Sequence, residues 1–190
     1  TDDRLAITER LFNRRAYEAC RAWALPLWTK GVQRKKLGYF LGKIGSERLR
    51  DDYVGAEKYL KAASHRDGPF ALQALSSYGI VLSKLSKHNH AIATFNKWLT
   101  RYGTSAKTSR VVEAHYDRGR ALHKAGLSKQ AARELGAYLS RHPRGYDSAK
   151  YWWFVGWWQY LGDDKKAAVR TRKPLLKRRN PLEGGQARYW

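Results

Sequence analysis

Apolar residues in the middle of the chain recur at spacings of three and four residues, which places them on one face of a helix. One pattern of this kind occurs twice: Gly79, Leu82, Ala91 and Phe95, then Gly119, Leu122, Ala131 and Leu135. Gly and Ala let two antiparallel helices approach closely, while the large residue fills the groove beside them. Each copy therefore predicts a helical hairpin.

Looser versions of the pattern extend over the whole chain. They predict hairpins at about 4–29, 33–65, 69–102, 108–142 and 147–179, with residues 181–190 starting a further helix. Because a helical hairpin leaves one apolar face uncovered, successive hairpins stack into a solenoid. The predicted fold is an all-α, right-handed α-solenoid of about five helical hairpins, in a single domain spanning residues 1–190.

The fifth hairpin begins with an aromatic run over residues 151–160, which places rings on every side of one helix. Packing explains such a run, and so does a platform on which sugars or bases stack. Basic residues of the next helix would then contact anions. The candidate binding residues are Trp152, Trp153, Trp157, Trp158, Arg170, Arg172, Lys173, Lys177, Arg178 and Arg179.

The chain is strongly basic, with 38 Lys and Arg against 16 Asp and Glu, a formal net charge of +22. Such a surface attracts polyanions, including nucleic acid and anionic glycans. Because the charges are spread over nearly every predicted helix, a generally basic, solvated surface explains them equally well. The single cysteine, Cys20, excludes an intrachain disulfide and leaves the redox compartment open.

The sequence contains no run of about 18 apolar residues, so it predicts no membrane-spanning helix. The chain opens on Thr1 without a signal peptide, so we expect a mature chain or an excised piece.

No strong active-site signature is present. His88 and His90 lack an acidic or Cys partner at a useful spacing, and Asp51-Asp52 and Asp163-Asp164 each precede a predicted helix, where carboxylates cap exposed amides. There is no phosphate-binding glycine loop. We predict no catalytic residues, no metal and no cofactor in this segment.

The spacing resembles the tetratricopeptide repeat, whose two small residues and closing Pro correspond to Gly119, Ala131 and Pro143. The two copies lie 119 − 79 = 40 residues apart, longer than the roughly 34 of that family. The resemblance implies a version with longer turns between repeats.

A further resemblance is to the N-terminal superhelical region of bacterial soluble lytic transglycosylases. It rests on the helix 91–102, on the aromatic run followed by Leu161-Gly162-Asp163, and on the closing Ala187-Arg188-Tyr189-Trp190. The catalytic acid of that family is a Glu followed by Ser, and none of the seven Glu residues here is followed by Ser. The resemblance therefore implies the helical arch of such an enzyme and not its catalytic domain.

The resemblance implies a periplasmic, non-catalytic scaffold that shapes access to peptidoglycan and binds its anionic glycan strands. Whether a catalytic domain follows Trp190 stays open. Two alternatives remain: a tetratricopeptide-type adaptor that binds a partner protein in the solenoid groove, and a basic helical-repeat protein that binds RNA.

Overall fold

The computed structural model describes residues 2–50, 52–143 and 148–177. These ranges contain helices joined by turns and no β-strand. The α-helices are α1 (Asp2–Asn13), α2 (Tyr17–Thr29), α3 (Arg34–Lys43), α4 (Tyr53–Ala63), α5 (Ala71–Lys84), α6 (His88–Tyr102), α7 (Thr108–Lys124), α8 (Ser128–Arg141), α9 (Ser148–Leu161) and α10 (Lys165–Arg172). A π-helical turn, Ile44–Arg48, follows α3, and a 3-10 turn, Lys173–Lys177, follows α10. The all-α prediction is confirmed.

The helices come in pairs joined by short turns, as the repeat pattern predicts. Helices α5 and α6 correspond to the hairpin predicted at 69–102, and α7 and α8 to the one predicted at 108–142, with the outer ends of each pair within two residues of those bounds. Gly126, with φ at +84°, ends α7 in the left-handed conformation that Gly adopts without strain. The predicted further helix at 181–190 lies outside the described residues.

Packing divides the chain into two compact units, Thr1–Thr94 and Phe95–Trp190. The boundary falls inside α6, so it does not coincide with a hairpin turn. The expectation of a single repeat domain stays a prediction.

The first unit buries two groups of side chains, one around α2 and α3 and one around α4 and α5. They are Ala24, Leu27, Trp28, Leu37, Phe40 and Leu41, and Ala56, Leu60, Ala63, Ala74 and Val81. Two glycines of α3 lie in close contact with α4. A Cβ on Gly42 would lie 2.4 Å from Leu60 Cγ, and one on Gly38 would lie 2.7 Å from the Tyr59 carbonyl oxygen.

The second unit buries the repeat residues that the sequence pattern singles out. Side chains that are 2% exposed or less include Val112, Leu122, Ala131, Leu135, Leu139, Val155 and Trp158. Helix α8 packs against both α7 and α9, and α9 packs against α10. The result is a layer of consecutive antiparallel helices in which each pair shares its apolar face with the next.

Carboxylates begin two of the helices, as expected. Asp52 accepts a hydrogen bond from the Gly55 amide at 2.6 Å, and Asp164 accepts one from the Ala167 amide at 3.0 Å. Each satisfies an amide that the helix leaves without an internal partner. These two aspartates therefore have structural roles.

Candidate binding face on the second unit

One side of α7 and one side of α9 form a continuous surface, which we call the α7/α9 face. The residues of each helix are spaced by three and four positions and so share a side of that helix. The face consists of Glu113, Tyr116, Asp117 and Arg120 from α7 and Lys150, Trp153, Phe154 and Trp157 from α9. The ring centroids of Tyr116 and Phe154, 4.7 Å apart, join the two helices.

Stacked rings run along α9. Trp153 stacks on Trp157 with centroids 6.0 Å apart, and Trp157 stacks on Tyr160 at 6.0 Å. Trp153 and Trp157 are half-buried, and Tyr160 is 41% exposed. The Arg172 guanidinium carbon lies 5.5 Å from the Trp153 centroid and 5.8 Å from the Trp157 centroid, within the range of cation–π attraction.

The opposite side of α9 belongs to the core. Tyr151, Val155 and Trp158 are each 3% exposed or less. The Trp158 ring lies against the backbone of Gly119, where a Cβ would be 2.5 Å and 2.7 Å from two ring carbons. The repeat glycine of α7 is therefore required by the indole that α9 inserts beside it.

Cations sit at the rim of the α7/α9 face. Lys150 Nζ lies 5.8 Å from the Tyr116 centroid and 5.4 Å from the Tyr151 centroid, and the Arg120 guanidinium carbon lies 5.6 Å from the Tyr116 centroid. Two cations thus lie over rings in this region, and an exposed cation such as Lys150 favours an anionic group on a ligand.

Asp117 lies beneath these cations. Burial raises its pKa to about 6, and the neighbouring Glu113 carboxylate adds to the increase, while Arg120 and Lys150 oppose it. Arg120 Nη1 is 3.5 Å from Asp117 Oδ1. This carboxyl changes its charge within the range of mildly acidic pH and can alter the electrostatics of the face there.

The structure brings together only part of the predicted binding set. Trp153, Trp157 and Arg172 form the stack described above. Trp158 is 1% exposed and packs in the core, while Trp152 packs against the small cluster of Ala149 and Leu175, which Trp153 also contacts. Arg170 and Lys173 are exposed, whereas the Lys177 side chain, Arg178 and Arg179 lie outside the described residues.

Sequence reasoning missed the contribution of α7, although a signal was present. Aligning Gly156 with Gly119, a shift of 156 − 119 = 37 residues, superposes Lys150, Trp153, Phe154 and Trp157 on Glu113, Tyr116, Asp117 and Arg120. Residues at the same sequence distance from the repeat glycine lie on the same side of the first helix in successive hairpins. The fifth repeat is aromatic at two positions where the fourth is charged.

The described residues contain no group of three His, Cys, Asp or Glu side chains that could hold a metal ion. His88 and His90 lie in the first turn of α6, with His90 exposed. Within the same ranges, no helix is long and apolar enough to cross a lipid bilayer.

The arrangement of the helices is similar to that of solved tetratricopeptide-repeat (TPR) structures. YrrB, described as a TPR protein with an unusual peptide-binding site, superposes with a TM-score of 0.76 at 14% sequence identity, covering 98% of this chain and 91% of YrrB. The fold is tetratricopeptide-like.

Two further structures agree with this fold. MamA from Desulfovibrio magneticus RS-1, residues 41 to the end, gives a TM-score of 0.71 at 18% identity over 91% of each chain. A putative kinesin light chain of Podospora anserina, with nearly identical TPR-like repeats, gives 0.71 at 8% identity over 99% of this chain and 93% of its own. No protein-family model and no curated protein matches this sequence.

Proposed function

We propose that this chain is a non-catalytic interaction module whose α7/α9 face binds an extended, acidic segment of a partner protein. The observation that carries the proposal is the face itself, where half-buried rings on two neighbouring helices are bordered by Arg120 and Lys150. Trp, Tyr and Arg are the residue types that contribute most of the binding energy at protein interfaces.

The charge of the chain supports an acidic partner. A net charge of +22 accelerates encounter with an anionic segment, and exposed cations at the rim of the face hold it in register. The TPR-like fold supports a peptide as the ligand, since YrrB is described as having a peptide-binding site. The α7/α9 face supplies rings for the apolar side chains of such a segment.

A selection from a library of random linear peptides displayed on phage tests the proposal. We expect enriched peptides to combine Asp or Glu with apolar residues, and their affinity to fall as salt is added. Enrichment of basic or uncharged peptides would contradict the proposal.

Variants of the face then locate the binding site of the enriched peptides by fluorescence polarisation. Trp157→Ala removes a ring of the stack and should weaken binding at least ~10-fold, about 1.4 kcal/mol. Trp23→Ala, on α2 in the first unit and 41% exposed, is the matched control and should leave affinity unchanged. Unchanged affinity in Trp157→Ala with weaker binding in Trp23→Ala would show that the peptides bind outside the α7/α9 face.

Charge reversal provides a second pair of variants, one in the α7/α9 face and one outside it. Lys150→Glu places a negative charge at the rim of the face and should weaken the acidic peptides by roughly one order of magnitude. Arg133→Glu makes the same change on the exposed side of α8 and controls for net charge. Equal losses for both variants would indicate binding through net charge alone.

The arch of a periplasmic lytic transglycosylase is the second candidate. The stacked pair of Trp153 and Trp157 beside the Arg172 guanidinium favours it, because stacked indoles also suit sugar rings. On this interpretation the chain binds isolated glycan strands weakly and salt-dependently and releases no anhydro-muramyl product. Salt-insensitive or absent binding to purified sacculi would count against it.

RNA binding is tested by fluorescence polarisation with single-stranded oligonucleotides. Steep salt dependence on RNA, with little binding of peptides or glycan strands, would select the basic RNA-binding alternative.

A further inference from the structure

Helix α2 of the first unit has a second exposed apolar surface. Between Glu18 and Thr29 its outer side exposes only apolar residues, which we call the α2 face: Ala19, Ala22, Trp23, Leu25 and Pro26. Trp23 is 41% exposed and Leu25 is 38% exposed. The opposite side of the helix is buried and consists of Cys20, Ala24, Leu27 and Trp28. Helix α2 is therefore apolar both toward the core and away from it.

Helices in the same position of other hairpins are basic on their outer side. Like α2, α4 and α8 are the second helices of their hairpins. Helix α4 exposes Lys58 and Lys61, and α8 exposes Lys129 and Arg133. Polar residues on the outer side are what a surface helix normally carries. The apolar outer side is thus a property of α2 and not of the repeat, and such a surface is typical of an interaction site.

Helix α2 also differs from most of the chain in its charge. It contains one basic and one acidic residue, Arg21 and Glu18, so its net charge is 1 − 1 = 0. Each of the helices α3 to α10 has more Lys and Arg than Asp and Glu. Two copies of a chain with a net charge of +22 repel each other over most of their surface. They meet with less repulsion where the surface is neutral, as it is on α2.

The exposed positions of this helix are arranged symmetrically about residue 24. They are residues 18, 19, 22, 23, 25, 26, 29 and 30, so each lies as far before residue 24 as another lies after it. An antiparallel copy of the helix, related by a two-fold axis at residue 24, therefore places exposed positions against exposed positions. A two-fold symmetric interface requires this self-complementarity, because the same patch serves both subunits.

The two ends of this set carry opposite charges. Glu18 precedes the apolar residues and Lys30 follows them, and both are exposed. Within the described ranges, neither of these side chains forms an ion pair. In the antiparallel arrangement Glu18 of each copy lies at the level of Lys30 of the other, so unlike charges meet at both ends of the apolar contact. A parallel arrangement would place like charges together.

We propose that the α2 face pairs two copies of this chain in an antiparallel, two-fold symmetric dimer in which each copy covers Trp23 of the other. A contact made by a single helix face belongs to the small, transient class of interfaces. The proposal concerns the first unit and does not depend on the function proposed for the α7/α9 face. A monovalent peptide binds each copy of that face separately, so Trp23→Ala remains the control for peptide binding.

Sedimentation equilibrium of the full chain tests the proposal. At about 0.15 M salt the Debye length is about 8 Å, which largely screens the repulsion between distant charges of two copies. Between about 1 μM and about 300 μM chain, we expect the average mass to rise from that of one chain toward that of two. A chain that stays monomeric over this range would overturn the proposal, and a mass beyond two copies would contradict the closed two-fold arrangement.

Removal of the exposed indole locates the contact. Trp23→Ala should raise the Kd of the dimer at least ~10-fold, because each dimer loses two aromatic side chains. Val54→Ala, at a residue 72% exposed on α4, removes an apolar side chain elsewhere in the same unit and should leave the Kd unchanged. Native dimerisation by a Trp23→Ala chain that far-UV circular dichroism shows to be folded would contradict the assignment.

Charge reversal at the two ends tests the antiparallel orientation. Glu18→Lys and Lys30→Glu should each raise the Kd several-fold, since each variant places like charges side by side at both ends. The two variants change the net charge in opposite directions, so net charge cannot explain a loss common to both. The double variant that carries both changes should restore the native Kd. A double variant that stays weak, or single variants with opposite effects, would overturn the antiparallel pairing.

Discussion

The two sides of α9 have similar composition and different roles. Tyr151, Val155 and Trp158 form the side that packs in the core, with Trp158 1% exposed. Trp153 and Trp157 form the other side, where they are half-buried and stacked along the helix. An ordinary surface helix carries polar residues on the side away from the core. A helix that is aromatic on both sides offers a second apolar surface, which is typical of an interaction site.

The comparison shows that residue type alone does not assign a role to a tryptophan in this helix. Trp157 and Trp158 are adjacent in sequence, yet a rotation of about 100° places one against Gly119 and the other on the outer side. The repeat glycine decides which of the two tryptophans is buried, because only a ring that lies against a residue without a side chain can enter the core there.

The largest expected effect is the loss of the core indole. Trp158→Ala should lower the free energy of unfolding by about 3–5 kcal/mol, because it leaves a cavity where the ring was fully buried. Trp157→Ala removes a half-buried ring and should cost less, because it leaves no enclosed cavity. Urea denaturation measures both, and equal losses would erase the distinction between the two sides of α9.

Asp117 gives the next largest effect, and it depends on pH. The pKa of this carboxyl is about 6 in the folded chain against 3.8 as its ordinary value, so the folded state binds the proton more tightly. The contribution of Asp117 to stability is fully present below about pH 3.8 and is lost as pH rises through about 6.

The neutral variant Asp117→Asn should show this loss directly. Its free energy of unfolding relative to the native chain should rise by about 3 kcal/mol as the pH increases from about 4 to about 7, since each pKa unit corresponds to 1.36 kcal/mol. Urea denaturation across this range measures the difference. A difference that is flat with pH would show that Asp117 does not titrate as its burial implies.

Two glycine substitutions test how closely the core side of α9 packs against its neighbouring helices. Gly119→Ala places a Cβ 2.5 Å from the Trp158 ring and should destabilise the chain by about 1–3 kcal/mol. Gly136→Ala, also in a helix of the second unit, meets its nearest side-chain atom, Val155 Cγ1, at 3.5 Å. Because Ala is the better helix former, this control should stabilise by up to about 1 kcal/mol. Thermal unfolding of the two variants should therefore shift in opposite directions.

Much of the fold follows from spacing alone. The repeated glycine, leucine, alanine and large apolar positions predict α5 to α8 closely, because burial at a period of 3.6 residues fixes both the helix and its inner face. The aromatic run was predicted to surround α9, and it does. Which of its rings pack in the core could not be predicted without knowing which helix lies beside Gly119.

The candidate site was less predictable for a different reason. Its α7 half, Tyr116 and Arg120, has no unusual composition. Apart from the equal offsets from the repeat glycine, it is recognised through the contacts of Tyr116 with Phe154 and Lys150 on α9 and with Arg120 on α7. Arg172, predicted to contact anions, is buried, with its guanidinium carbon 5.5 Å from the Trp153 centroid. Burial of a cation against rings depends on tertiary packing that the local sequence does not encode.

The most direct test of the central claim is calorimetric titration of an enriched acidic peptide into the native chain, Trp157→Ala and Trp23→Ala. The account predicts that affinity falls at least ~10-fold in Trp157→Ala and is unchanged in Trp23→Ala, because the outer side of α9 contacts the peptide. Native affinity in a folded Trp157→Ala chain would contradict the claim that this side of α9 is a binding surface.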